Sequence, residues 1–125
     1  MAKFLNRDKG FSDPNNYDYG SLFGTTFGMD KKQRVTTHAS GSSHAMTLCA
    51  VDLDKGGNPI KWMVENSWGS SYGYQGFIIM TNEWFNEYMF RVVLEEKYIP
   101  AKYMEMMKQT PVMLPAWDPM FLPEE

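Results

Sequence analysis

The sequence predicts an α+β fold in which two neighbouring strands are joined by a turn and followed by short helices. The run from Ala45 to Leu53 is apolar on both faces, which is typical of a strand buried on both sides. Residues 60–66 alternate between two faces, which is typical of a half-buried strand. Between them, Asp54–Pro59 supplies turn residues, and its Gly-Gly pair tolerates positive φ. We therefore expect a pair of adjacent strands at the centre of the chain.

Length and composition limit the classes of protein to which this chain can belong. With 125 residues the chain is one domain at most, and it buries about two thirds of its unfolded surface if it is compact. A net charge of −3 argues against a polyanion-binding surface, so nucleic acid is not the expected partner. The single cysteine, Cys49, rules out an internal disulfide framework and fits a reducing compartment. No apolar run approaches the ~20 residues of a membrane span, and we expect a cytoplasmic protein without membrane contact.

The first 43 residues are polar and rich in turn residues, so we expect an irregular lead-in. The basic run Lys31–Arg34 is interpreted as solvated surface. Several apolar side chains are expected to anchor this segment on a core. These are Phe4, Leu5, Tyr17, Tyr19, Leu22, Phe23 and Phe27.

The sequence of the second half of the chain predicts short strands and short helices. Residues 77–80 form a short apolar run that indicates a buried strand, and Thr81 or Asn82 is suited to cap a brief helical turn after it. Alternation from Tyr88 to Glu95 predicts another half-buried strand. A short helix is expected to begin at Pro100.

Two residues carry the chemistry. His44 opens the first strand, and Asn66 lies at the end of the second, 22 residues later. Asn66 shares the apolar face of its strand, so its amide needs a hydrogen-bond partner, and His44 is the natural one. A His oriented by a side-chain acceptor is two thirds of a thiol-protease triad. Trp68 follows closely and is expected to cover the pair from water.

The nucleophile of such a triad is not evident. Cys49 follows His44 by five residues in one apolar strand, and this odd offset predicts that the two side chains lie on opposite faces. We therefore expect Cys49 to be a buried structural thiol. His38 has no comparable context and is expected to be exposed. The sequence contains no P-loop, dinucleotide fingerprint or metal-ligand spacing, so no cofactor or metal is expected.

These motifs resemble a known family. Asn66-Ser-Trp-Gly69 and the strand that opens at His44 are similar to the Asn and His blocks of papain-like cysteine peptidases. Further segments resemble the bleomycin hydrolase and bacterial aminopeptidase C branch. They are Asp18–Gly24, Ser43–Thr47, Glu65–Asn66, Asn82–Phe85 and Pro115–Met120. The resemblance runs from about Phe4 to Met120 and corresponds to the C-terminal part of such an enzyme.

The resemblance implies a papain-like fold, of which this chain is the β-barrel domain that bears His and Asn. His44 would be the general base, Asn66 its orienting partner and Trp68 the aromatic cover. The nucleophilic Cys and the oxyanion Gln of the family lie in a preceding helical domain, and nothing here matches that domain. Residues 1–43 would be the lead-in, 44–109 the barrel strands and short helices, and 110–125 an extended C-terminal arm.

The resemblance leaves three interpretations open. The chain is the C-terminal fragment of a cysteine aminopeptidase and inactive alone, half of a split enzyme, or a non-enzymatic interaction module. A peptide substrate is expected only if another chain supplies the Cys domain, and self-association is expected because the family resembles hexamers. The family's C-terminal arm sets aminopeptidase specificity, but the terminus Glu124–Glu125 differs from the small-residue ends of the family.

Overall fold

The computed structural model describes residues 4–118, and these form one five-stranded sheet flanked by short helices. The predicted α+β class is confirmed. The sheet order is β1-β2-β5-β4-β3, with β2 and β5 parallel and the other neighbours antiparallel. The strands are β1 Leu5–Asn6, β2 Phe11–Ser12, β3 Thr47–Leu53, β4 Pro59–Glu65 and β5 Phe77–Thr81.

Four α-helices and one 3₁₀ helix accompany the sheet in the described part of the chain. They are α1 Tyr19–Phe23, α2 Lys31–Thr36, α3 Asn82–Tyr88, the 3₁₀ helix Glu96–Tyr98 and α4 Ala101–Met107. None of these helices has the length and apolar character of a membrane span. Residues 110–118 form no helix or strand, and residues 119–125, which include Glu124–Glu125, lie outside the described part of the chain.

The lead-in, expected to be irregular, contains β1, β2, α1 and α2. Two of its polar residues, Asp18 and Asp30, are helix N-caps. Asp18 accepts a hydrogen bond from the Ser21 backbone at the start of α1. Asp30 and Gln33 form a capping box at the start of α2. Short capped helices of this kind leave no hydrophobic periodicity in the sequence, so the pattern alone did not reveal them.

The central hairpin of β3 and β4 forms as predicted. Its turn is organised by Asp54, whose carboxylate accepts hydrogen bonds from the backbone of Gly56 and from the backbone and side chain of Asn58. The Asn58 side chain contributes most to holding the pKa of Asp54 below its ordinary value. Gly57 has φ +83°, the conformation for which a glycine was expected here.

The expected burial of the first strand is wrong. Every residue of β3 is exposed, including Leu48, Val51 and Leu53. β3 lies at the edge of the sheet and pairs only with β4, so neither of its faces is covered by the described residues. Apolar composition predicts burial only when another layer is present to cover the strand.

The core lies on the face of β4 and β5 that α3 covers. It consists of Leu5, Val64, Ile78, Met80 and Trp84. Val64 pairs with Ile78, so both side chains point to the same face of the sheet. Thr81 caps α3 by accepting a hydrogen bond from the Trp84 backbone, as predicted. The burial of Ile78 and Met80 confirms the short buried strand predicted for β5. The alternation predicted for β4 holds at its end, where Val64 is buried, but Ile60 at its start is exposed.

The strand predicted between Tyr88 and Glu95 is wrong. α3 continues through Tyr88, and residues 89–95 have no regular structure. The Tyr88 ring instead packs at 5.0 Å from the Trp84 ring, and Val93 is 96% exposed. Alternation alone does not form a strand, because the backbone also needs a neighbouring strand with which to pair.

The basic run is not a simple solvated surface, since two of its residues attach α2 to the end of α3. Lys31 donates hydrogen bonds to the backbone carbonyls of Asn86 and Met89. Arg34 bonds to the backbone and carboxylate of Glu87. Cations near the carbonyls at a helix C-terminus interact favourably with the helix dipole. This contact anchors the segment that precedes His44.

Two loops meet backbone to backbone next to the sheet. The Gly73 N–H donates to Arg7 O at 3.1 Å, and the Ile79 N–H donates to Gly10 O at 2.8 Å. A Cβ on Gly73 would lie 2.4 Å from Phe77 O, and a Cβ on Gly10 would lie 2.7 Å from the Gly73 Cα. Only glycine permits this approach, which joins the β1–β2 turn to the loop after β4.

Two glycine substitutions distinguish the contribution of this close contact to stability from the cost of a left-handed backbone conformation. Gly24 and Gly73 share φ +60°, but a Cβ at Gly24 would meet no atom within 4 Å. We expect Gly24→Ala to lower the free energy of unfolding by about 1 kcal/mol, the cost of the left-handed region. Gly73→Ala should lower the free energy of unfolding by ~1–3 kcal/mol more than Gly24→Ala, because the new Cβ would clash with Phe77 O. Urea unfolding of both variants measures the difference, and equal losses would contradict the proposed contact.

Candidate active site

The candidate site lies where β3 begins and β4 ends. Thr47 pairs with Glu65, so the antiparallel hairpin places the residues just before β3 beside those just after β4. His44 and Asn66 are these residues, and His44 Nε2 lies 2.8 Å from Asn66 Oδ1. The hydrogen bond predicted from the sequence is therefore present.

The hydrogen bonds determine which imidazole nitrogen carries the proton. Asn66 Oδ1 also accepts from the backbone N–H of Ser67 at 2.9 Å, and a backbone N–H can only donate. The shared atom is therefore the amide oxygen, and His44 Nε2 must donate to it. In the neutral ring this leaves the lone pair on Nδ1, which is the atom available to accept a proton.

The amide nitrogen of Asn66 has a different environment. Asn66 is 7% exposed, and its Nδ2 has no hydrogen-bond partner among residues 4–118. A buried donor without an acceptor costs ~1–3 kcal/mol of stability. The side chain is thus poorly suited to stabilising the fold alone, whereas its oxygen is well placed to orient His44.

The Trp68 ring packs against the His44 ring. Its ring centroid is 5.4 Å from that of His44, with 32° between the ring planes. The same indole contacts Tyr72 edge to face at 5.9 Å and lies 5.6 Å from the Arg7 guanidinium carbon. Asn66 N donates to Gly76 O, which closes the loop that carries Trp68. An aromatic cover limits water access and strengthens the hydrogen bond beneath it.

The expectation of a buried thiol at Cys49 is wrong. Cys49 is exposed, and its hydrogen bond within the described residues runs to Thr47 O at 3.3 Å. The register between β3 and β4 shifts between Leu48 and Ala50, so Cys49 lies at an irregularity of an edge strand. Because His44 precedes that strand, the alternation of side chains along β3 does not set the faces on which His44 and Cys49 lie. Cys49 and His44 do not form the hydrogen-bonded pair of a nucleophile and its base.

Two further predictions concern His38 and metal ligands, and the structure adds one residue, Arg7, that the sequence did not indicate. His38 is exposed, as predicted, with φ +58°. Among residues 4–118, no group of three His, Cys, Asp or Glu side chains is arranged to hold a metal ion. Sequence reasoning missed Arg7, which with Trp68 and Tyr72 lines a cavity of about 400 Å³ beside the candidate site. No motif marks Arg7, because only the contact between the two loops brings it to Trp68.

Comparison with known proteins agrees with this geometry. Over 123 residues the chain is 43% identical to bleomycin hydrolase of Homo sapiens, covering 96% of this chain and 27% of that protein. Over 118 residues it is 42% identical to aminopeptidase E of Lactobacillus helveticus, covering 94% of this chain and 27% of that protein. The crystal structure of PepW from Lactobacillus rhamnosis HN001 matches with a TM-score of 0.86 and 38% identity, covering 96% of this chain and 27% of PepW.

The chain thus spans about a quarter of the length of these relatives. The fold agrees with the papain-like expectation, and the relatives confirm the resemblance to bleomycin hydrolase and the bacterial aminopeptidases. The sequence model of the Peptidase C1-like family matches residues 1–121. This chain therefore belongs to the Peptidase C1-like family.

Proposed function

We propose that this chain supplies the general base and its orienting amide to a cysteine aminopeptidase. The observation that carries the proposal is the 2.8 Å contact of His44 Nε2 with an Asn66 oxygen that also accepts from Ser67. It leaves Nδ1 of His44 as the basic atom. The related bleomycin hydrolase and aminopeptidase E support peptide hydrolysis as the reaction.

His44, Asn66 and Trp68 have separate roles in acyl transfer. His44 Nδ1 takes the proton from a cysteine thiol, and the thiolate attacks the carbonyl of the scissile bond. The same nitrogen then donates that proton to the leaving amine. Asn66 Oδ1 holds the imidazole in the required tautomer and accepts from the imidazolium when it forms. Trp68 shields this hydrogen bond from water.

The nucleophile and the oxyanion donor are proposed to come from polypeptide outside these 125 residues. Cys49 does not pair with His44, and its exposed thiol bonds to Thr47 O instead. Without a thiolate and an oxyanion donor, neither attack nor stabilisation of the tetrahedral intermediate is available. The chain alone is therefore inactive, and it acts on peptides only with a Cys-bearing domain. The cytoplasm is the compartment in which this thiol chemistry is proposed to operate.

A second candidate function is an interaction module or one half of a split enzyme. The exposed edge strand β3 favours it, because its unpaired backbone groups and apolar side chains are suited to pairing with another chain. All of these functions involve association. One half of a split enzyme needs an associated chain that brings a nucleophilic cysteine, whereas an interaction module does not.

We expect no thiol-dependent turnover of aminoacyl fluorogenic substrates by the purified chain under reducing conditions. Adding the Cys-bearing helical domain of a relative should restore turnover, because it supplies the two missing groups. His44→Ala should abolish the restored turnover, whereas His38→Ala, at an exposed histidine, should leave it unchanged.

Two results would contradict this proposal. Turnover by the isolated chain that is lost in Cys49→Ala would make Cys49 the nucleophile. A complex with the helical domain that forms but hydrolyses nothing would favour the interaction module.

We expect the His44 ring to carry its proton on Nε2 at about pH 8, where imidazole is ordinarily neutral. Long-range proton–nitrogen NMR distinguishes the two tautomers. Asn66→Ala removes the acceptor, so the signals of His44 should shift towards a mixture of tautomers. His38 serves as an internal control, because its signals should be the same in both proteins. A wild-type His44 protonated on Nδ1 would contradict the assignment of Nδ1 as the base.

We propose that the isolated chain self-associates through β3, and light scattering from micromolar to millimolar concentration should show mass rising with concentration. Val51→Lys places a charge on this edge strand and should reduce association. Val93→Lys is the matched control, because Val93 is 96% exposed and lies outside the sheet. A wild-type chain that stays monomeric, or equal effects of the two variants, would contradict a role for β3.

A further inference from the structure

We propose that Arg7 makes the cavity beside Trp68 selective for a carboxylate of the leaving peptide. This inference rests on the proposed function, because that function decides which part of a substrate lies there. This cavity is a depression open to solvent, with a volume of about 400 Å³, and it is lined by Arg7, Trp68 and Tyr72. It therefore presents one cation and two aromatic side chains to a ligand.

The position of the cavity identifies the part of the substrate. His44 must reach the leaving amine to protonate it, so the residues that follow the scissile bond lie on the His44 side of the nucleophile. Trp68 covers His44 at 5.4 Å and lines the cavity with its indole. The residue just after the scissile bond is thus directed to this cavity.

Arg7 is held in place through its backbone. Arg7 O accepts the Gly73 N–H at 3.1 Å, within the contact that requires glycine at positions 10 and 73. This contact places the guanidinium carbon 5.6 Å from the centre of the Trp68 ring. Because the anchor is a backbone atom, a change of the Arg7 side chain leaves it intact.

The guanidinium is available for a ligand. Arg7 is exposed and forms no ion pair with a carboxylate among residues 4–118. A guanidinium presents several N–H donors in a plane and binds carboxylates in a bidentate manner. An aromatic wall beside such a cation suits the apolar stem of a side chain or the backbone of a dipeptide.

A carboxylate could reach Arg7 from two sources. One is the C-terminal carboxylate of a short leaving peptide, and the other is the side chain of an acidic residue directly after the scissile bond. Three probes separate them. Alanyl-glutamine carries only the terminal carboxylate, alanyl-glutamate amide carries only the side-chain carboxylate, and alanyl-glutamine amide carries neither.

Binding is measured on the chain itself, without catalysis. The probe signal is the indole N–H of Trp68 in NMR titrations, assigned as the signal that disappears in Trp68→Phe. At low salt we expect at least one carboxylate probe to bind about fivefold more tightly than alanyl-glutamine amide, the upper end for an exposed ion pair. Whichever carboxylate probe binds more tightly identifies the source.

Variants show whether Arg7 is responsible. Arg7→Gln should bring the affinity of the carboxylate probe close to that of alanyl-glutamine amide, so that their ratio is near one. Arg7→Lys should retain part of the preference for the carboxylate probe. Lys9→Gln is the matched control, since it removes an equal charge from an exposed residue of the same turn that does not line the cavity. The ratio should persist in that control.

The outcomes separate this inference from the proposed function. A ratio near one in the wild-type chain, or an unchanged ratio in Arg7→Gln, overturns the carboxylate site even if the completed enzyme hydrolyses peptides. Selective binding that depends on Arg7 supports a carboxylate site even if the completed enzyme shows no turnover. In that case the proposed function is wrong, and so is the assignment of the carboxylate to a leaving peptide.

Discussion

The pairing of β3 with β4 is the interaction on which the rest of the site depends. β4 lies between β3 and β5, it contributes Val64 to the core, and Asn66 directly follows its end. The register that sets Thr47 opposite Glu65 brings His44 to the amide oxygen. Because side chains alternate along a strand, a slip of one residue would turn Val64 away from the core and Asn66 away from His44. Core packing and site geometry are thus set by the same register.

A second constraint acts on the cover of the site. The close approach of Gly10 to Gly73 holds the turn after β1 against the loop after β4. That contact brings the side chain of Arg7 to Trp68, which in turn lies on His44. The two loops meet through backbone atoms, while Trp68 of the second loop also packs against the core. The cover and the charged cavity beside it are consequently one structural unit.

The candidate site combines a hydrogen-bonded His–Asn pair with incompletely covered surroundings. His44 and Asn66 are hydrogen-bonded without any ligand, whereas β3 is exposed along its whole length. Among residues 4–118, Nδ2 of buried Asn66 has no hydrogen-bond partner. Such an arrangement is expected where a side chain is placed for chemistry rather than for stability, and where an exposed edge is suited to another layer of protein.

The sequence by itself determined the structural features that depend only on residues close together in the chain. Asp54 and two glycines specify the turn, Thr81 caps α3, and the strand that alternates through Val64 leads to Asn66. Only the tertiary structure decided whether an apolar or alternating segment has a partner. β3 lies at an edge and leaves Cys49 exposed, and residues 89–95 pair with no strand in the described part of the chain. Arg7 reaches Trp68 through a contact between distant loops, and the sequence does not record such contacts because they depend on how the whole chain packs.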